Sequence, residues 1–313
     1  MQNNHKIVGI FGGNSFLAKY TIEKLCEEGY RLKIGTSKPS LANHIKIMGS
    51  PGQLILMPTN LWDPKSVQEV LKDCAFCINF CGQLTEGKIS HYQLHSQWPE
   101  MLSKISNEYK IKLIHISALN PVENHPALYM KSKMLGEEKI KQNIENYFIL
   151  RPSLIVGNGD DAFFNNFGKM AQISPIIPLP FSGSTKFSPV HASDCAEAII
   201  KLLKIENSKN RIFEIAGTSI YSLKNLIKIF LTQIKKKRLL VSAPFIKMQS
   251  YILQYFPQPF TITPDQILLL RHNSIPTGKF PLLKDLGITP KEIQSIFPYW
   301  KRWRAGGEFN KDN

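Results

Sequence analysis

Six short apolar runs are spaced by longer segments of helical period in the first 150 residues: Ile7 to Phe11, Arg31 to Thr36, Leu54 to Met57, Phe76 to Phe80, Lys112 to Ser117 and Tyr147 to Leu150. Runs this short, bounded by turn residues, read as strands buried on both faces. Between them the spacing predicts helices over Ser15 to Glu28, Pro64 to Asp73, Ser90 to Asn107 and Tyr129 to Asn143. Strands alternating with helices make βαβ units, and their right-handed crossovers leave one solution, an α/β fold with a doubly wound parallel sheet.

The rhythm breaks near Gly157. Asp160 to Gln172 reads as helix, Ser174 to Phe187 as a Pro, Ser and Gly loop, Ser193 to Lys204 as an amphipathic helix and Arg211 to Ile215 as a strand. Beyond Gly217 the pattern is mostly helical. It holds a helix over Ser222 to Ile234, the basic run Lys235 to Arg238, a short strand over Leu239 to Ser242, and an apolar stretch from Phe245 to Phe256 between Pro244 and Pro257. The expected division is a nucleotide-binding domain over 1–218, with an irregular insertion at 159–187, and a smaller, mostly helical C-terminal domain over 219–313.

With 313 residues, 43% of them hydrophobic, the chain can bury a large core without covalent staples. Five cysteines, an odd set, in a chain with no signal-like start predict reduced thiols in a cytoplasm-like compartment. No apolar run approaches the roughly 18 to 20 residues that span a bilayer. Thirty-nine Lys and Arg against 24 Asp and Glu give a net charge of +15, which attracts anionic partners. The lysines are spread through the chain, and no basic stripe carries interleaved aromatics, so nucleic acid is not an expected partner.

The first strand runs into Phe11-Gly12-Gly13-Asn14-Ser15-Phe16-Leu17 and then a helix. A glycine turn opening a helix is how a Rossmann sheet holds a dinucleotide pyrophosphate, on exposed backbone N–H groups and the positive helix end. In the Gly-x-x-Gly-x-x-Gly spacing, Gly12 fills the first position, while Ser15 and Ala18 stand at the others. The Ser15 β-carbon would crowd a pyrophosphate, although its hydroxyl could donate to one; the other reading is an ordinary strand-to-helix turn. At the end of the second strand, where an acidic residue would select NAD, the chain has Gly35-Thr36-Ser37-Lys38, which points to NADP(H); the other reading of Lys38 is one more solvated lysine.

Tyr129 and Lys133, four residues apart on a helix, share one face, and Ser117 ends the fifth strand. A nearby ammonium would lower the phenol toward neutrality, and the serine would orient a carbonyl or hydroxyl beside it, so Tyr129, Lys133 and Ser117 form a candidate proton-transfer trio. Cys77-x3-Cys81 followed by His91-x3-His95 has a gap of nine residues, against about twelve in the usual zinc finger, so buried thiols are expected and no metal. His191 could approach the trio or simply satisfy a strand end.

The Gly12 turn, Ile116 to Asn120, Tyr129-x3-Lys133-x2-Gly136-Glu137 and Leu150-Arg151-Pro152 to Gly157 resemble the atypical short-chain dehydrogenases. With Asp160 to Phe167, Phe187 to Asp194, Thr263 to Leu270 and Asp285 to Ile288, the chain looks more narrowly like the nucleotide-binding accessory subunits of respiratory complex I and their alphaproteobacterial relatives. That resemblance implies a tightly held NADPH without required turnover, in a subunit docked on the peripheral arm of NADH:ubiquinone oxidoreductase near the membrane. It carries cofactor contacts over to Gly12, Asn14, Phe16, Leu17, Lys38, Tyr129, Lys133 and Pro152, with the 2′-phosphate resting on Lys38, while Ser15 and Ala18 depart from the family's usual glycines; Gly13, Ser15, Asn60 and Leu61 are further candidate cofactor contacts. It also implies a peripheral place on the cytoplasmic face of the inner membrane. The stretches 244–256 and 297–304, each mixing apolar or aromatic with basic residues, are candidates for touching the membrane surface. The other class of reading is a working NAD(P)-dependent oxidoreductase, epimerase or dehydratase using Tyr129 as acid or base; a third is a free sensor of the NADPH pool.

Overall fold

The computed structural model describes residues 6–159, 163–206, 211–256, 259 and 261–310; Asp160 to Ala162, which head an expected helix, and Pro257 lie outside them. The chain divides into two compact units. The first holds residues 1–152, 192–215 and 277–289, and the second 153–191, 216–276 and 290–313.

The first unit is built on seven strands, β1 (Ile7–Phe11), β2 (Arg31–Thr36), β3 (Leu54–Pro58), β4 (Cys74–Asn79), β5 (Lys112–Ile116), β6 (Tyr147–Pro152) and β7 (Ile212–Ile215). All neighbours pair in parallel, in the order β7-β6-β5-β4-β1-β2-β3. Ile10 of β1 lies opposite Ile34 of β2 and Ile78 of β4, all three wholly buried, which is why these strands read as unbroken apolar runs. The order reverses between β1 and β4, and a sheet of this kind takes ligands at the carboxyl ends beside such a reversal.

Helices α1 (Phe16–Glu27) and α5 (Ala192–Lys204) pack together, as do α3 (Trp98–Glu108) and α4 (Leu128–Asn143), while α2 (Pro64–Leu71) adjoins α3. A core of Val67, Leu71, Leu102, Leu113 and Ile149 surrounds Trp98, whose indole stands edge-on to Phe11 at 5.0 Å. The predicted helix over Ser90 to Asn107 is not uniform: Gln93–Gln97 form a π turn before α3, and it buries Leu94, His95 and Ser96 in succession. Lys112 at the start of β5 is buried and donates to the carbonyls of Leu202, Leu203 and Ile205, closing the C-terminal end of α5. Segment 277–289 returns to the sheet edge, where Thr277 donates from its backbone N–H and its hydroxyl to the buried Glu214 carboxylate of β7, at 2.8 and 2.6 Å.

In the second unit, helices Phe164–Ile173 and Leu223–Gln233 pack around Phe164, Phe230, Trp300 and Trp303. The expected loop at 174–187 carries two short strands. Ile176–Leu179 pairs in parallel with Leu239–Ser242, and Lys186–Phe187 pairs antiparallel with Tyr221–Ser222. The expectation of a single boundary at 218 is corrected, because the chain passes between the units several times and residues 153–191 belong with the later segments. The surface role of 297–304 is corrected too: Tyr299, Trp300 and Trp303 are 7%, 1% and 4% exposed, so their rings fill this unit's core.

Candidate functional site

The turn after β1 places Gly12 at φ +78°, a left-handed conformation that favours glycine. A β-carbon there would meet the Phe80 carbonyl carbon and the Cys81 nitrogen at 2.8 Å, so this glycine is required by the approach of β4's end as much as by any ligand. Gly13 is buried against Ile34, and Asn14 is exposed. Ser15 caps α1: its Oγ accepts the Ala18 N–H at 3.3 Å, leaving the hydroxyl hydrogen to donate elsewhere. The first turn of α1 contains no acidic residue, so its positive end is not neutralised from within the helix. Phe16 packs edge-on to Tyr20 at 5.5 Å, and Leu17 is 5% exposed, which makes Leu17 a core residue of α1.

Lys38 is exposed after β2, and its backbone N–H donates to Thr36 Oγ1 at 3.3 Å. Asn60, after β3, has its side chain engaged in the local turn, with Oδ1 accepting from the Trp62 N–H at 3.0 Å; Leu61 packs partly against the core. Pro152 ends β6, and its carbonyl accepts the Leu119 N–H at 3.0 Å.

At the ends of β4 and β5, Lys133 is 3% exposed, and its Nζ donates to the Ile116 carbonyl at 3.0 Å. Burial pulls its ammonium down from 10.5 to about 8, with Cys81 and Glu137 opposing. Nζ lies 6.0 Å from the centre of the Tyr129 ring. Burial pushes the Tyr129 phenol up from 10 to about 12. The expected lowering of the phenol by Lys133 is therefore corrected: both groups share the helix face, but desolvation decides the tyrosine while a carbonyl holds the lysine. Ser117 Oγ is buried with no protein partner, an orphaned hydroxyl of the kind a bound ligand or water satisfies.

A buried histidine group surrounds this pair, and sequence reading considered two of its members only as metal ligands. His91 and His95 stack at 5.2 Å, and the Tyr129 ring stands edge-on to both, at 5.8 and 5.3 Å. His95 Nε2 accepts the Gln83 N–H at 3.2 Å, which makes Nδ1 the protonated nitrogen and lets it donate to Ser132 Oγ at 2.9 Å; Ser132 Oγ donates in turn to the Tyr129 carbonyl. Burial, then the charge of Lys133, holds His95 far below its ordinary range, so it stays neutral. Deeper in the sheet Asn79 binds His115 Nδ1 and accepts from the Trp98 indole and the Cys81 N–H, each at 3.0 Å. The helical spacing of His91 and His95 was visible in the sequence; their convergence on Tyr129 depends on the π turn, which has no sequence signature. Cys77 is wholly buried in β4, and among the described residues no three His, Cys, Asp or Glu side chains converge as a metal site. His191 lies in the second unit, on a strand paired with Ile155–Val156.

No family model matches the chain. The mitochondrial protein of Dictyostelium discoideum named NADH dehydrogenase (ubiquinone) 1 alpha subcomplex subunit 9 is 26% identical over 317 residues, covering 99% of this chain and 88% of its own. The 40 kDa subunit of the Neurospora crassa NADH-ubiquinone oxidoreductase is 23% identical, covering 96% of this chain and 80% of its own. The chain resembles these complex I subunits along nearly its whole length. Among solved structures, UDP-glucose 4-epimerase of Bifidobacterium longum, in complex with NAD+ and UDP, superposes with a TM-score of 0.70 at 16% identity, over 95% of this chain and 98% of its own. That likeness establishes the fold, a Rossmann-type parallel sheet. The resemblance to complex I subunits read from the motif order thus extends to the full alignment.

Proposed function

We propose that this chain is an accessory subunit of a membrane NADH:quinone oxidoreductase and that it holds NADPH as a structural ligand. The observation that carries the assignment is the resemblance to complex I subunits over 96–99% of the chain. Gly12 to Leu17 and the N-terminal end of α1 would hold the pyrophosphate, Lys38 the 2′-phosphate, and Ser117, Tyr129, Lys133 and Pro152 the nicotinamide end, with the orphaned Ser117 hydroxyl and the unneutralised helix end fitting such a ligand. When bound, NADPH supplies a hydride donor. Around it, a Tyr129 phenol raised to about 12 by burial stays protonated at neutral pH and can donate to the ligand, and Lys133 is engaged by the Ile116 carbonyl.

No described helix is long and apolar enough to cross a membrane. The subunit would sit peripherally on the cytoplasmic face, contacting peripheral-arm subunits. Its membrane contact would be the stretch 244–256, where Phe245, Met248, Ile252 and Tyr255 are 77%, 70%, 67% and 83% exposed.

The second reading, an NAD(P)-dependent reductase or epimerase, is favoured by one observation, the gathering of Ser117, Tyr129 and Lys133 at the β5 end. Tyr129→Phe separates the two. In the accessory subunit the variant keeps its nucleotide and its place in the complex; in an enzyme, turnover falls by about two to four orders of magnitude. A variant that keeps its nucleotide but loses its place in the complex would count against the ligand-holding role given to Tyr129.

A further inference from the structure

Helix Leu223–Gln233 of the second unit turns a polar stripe outward, with Lys224, Lys228 and Thr232 at successive turns, all exposed. Beyond its end Lys235 adopts φ +55°, and the N–H groups of Lys235 and Lys236 donate back to the carbonyls of Thr232 and Leu231, at 3.2 and 3.1 Å. This reversal sets Lys235, Lys236, Lys237 and Arg238 beside the stripe, and the six cations line one groove of about 730 Å³. Arg238 is fixed there by Nε donating to the Ala171 carbonyl at 2.7 Å.

The groove is lined by no carboxylate, and among the described residues none of its lysines enters an ion pair. Like charges four apart on a helix, as Lys224 and Lys228 are, destabilise it by a few tenths of a kcal/mol, which a bound anion would reverse. Five of the six are lysines, compact point charges suited to several anionic oxygens in no common plane; recognition of a lone planar carboxylate favours arginine forks. The other lining side chains, Leu231, Thr232 and Leu240, include no aromatic ring, so stacked nucleobases have no platform. The volume falls in the range of small-molecule sites, roughly 300 to 1,000 Å³.

We infer that this groove binds clustered phosphate groups, either those of a soluble polyphosphate or those of neighbouring anionic phospholipid headgroups at a membrane surface. It belongs to the second unit and is separate from the turn between β1 and α1, so it stands whether or not the nucleotide reading does.

The test uses the full chain and two triple variants of equal charge change. Lys224→Gln, Lys228→Gln and Lys236→Gln empty the groove; Lys65→Gln, Lys88→Gln and Lys110→Gln, all exposed residues of the first unit, control for net charge. Each protein is titrated calorimetrically with tripolyphosphate in near-physiological salt and floated with phosphatidylcholine vesicles with and without phosphatidic acid. The groove variant should bind at least about tenfold more weakly than wild type, and the control variant should match wild type. Tripolyphosphate binding alone identifies a soluble ligand; flotation with phosphatidic acid alone identifies a headgroup. Equal binding by the two variants, or no wild-type response to either probe, overturns the inference. If the groove variant unfolds early, the single Lys228→Gln carries the test through a smaller loss in the same direction.

Discussion

Glu137 and Arg151 form a buried ion pair, at 0% and 7% side-chain exposure, with Arg151 Nε donating to Glu137 Oε1 at 2.9 Å and the guanidinium lying over Phe280 at 4.8 Å. Beside it, a β-carbon on Gly136 would lie 1.9 Å from the His95 carbonyl, so glycine there lets α4 close on the π turn. The Gly136-Glu137 and Arg151-Pro152 signatures were legible in the sequence as a resemblance; their cause is this contact and this pair. Glu137→Gln should cost about 3–5 kcal/mol in urea unfolding, because it strands a buried guanidinium, and a Glu137→Met, Arg151→Met double variant should recover much of that. A loss below about 1 kcal/mol in the single variant would show the pair to be solvated. Lys133 carries a pH signature. Its folded value of about 8 lies below its ordinary 10.5, so between them the unfolded chain binds the extra proton and stability rises with pH, by up to about 1.4 kcal/mol per unit. Tyr129, raised from 10 to about 12, acts in the opposite sense only above pH 10. Subtracting the stability curve of Lys133→Met from that of wild type between about pH 8 and 10 should leave this rising slope; a flat difference would mean that Lys133 is not desolvated.

At the scale of elements, the strands and helices of the sheet were legible because burial on both faces turns each strand into an apolar run and each crossover helix keeps its period. Two places were not. The π turn at Gln93–Gln97 leaves no compositional mark, since it differs from α-helix by one residue in the hydrogen-bond ladder. The 297–304 segment mixes aromatic and basic residues in a way shared by interfacial helices and by core helices whose basic residues reach water. Packing decides: Trp303 sits so close to Gly168 that a β-carbon there would meet the indole at 2.5 Å. Trp303→Ala should therefore destabilise the chain by about 3–5 kcal/mol in thermal or urea unfolding. Unchanged stability with weakened vesicle binding would restore the interfacial role.

At the scale of the whole molecule, the sequence shows a nucleotide-type sheet and a later annex, but not that they interleave. Strand β7 follows the excursion through 153–191, and segment 277–289 comes back to satisfy Glu214; pairings across such separations depend on tertiary packing and leave no local signal. The candidate site was legible as residue types at the ends of β1 and β5, whereas its electrostatics were not, because burial outweighs the lysine's charge at Tyr129. The charge of +15 has a structural counterpart in the groove of the second unit. The central claim, a held nucleotide in a respiratory subunit, is tested most directly by affinity purification of the tagged chain from mildly solubilised host membranes. Co-purifying subunits and released nucleotide are read from the same sample. The account predicts recovery of peripheral-arm subunits of the NADH:quinone oxidoreductase together with close to one NADPH per chain. A lone soluble chain, or the complex recovered without nucleotide, would contradict it.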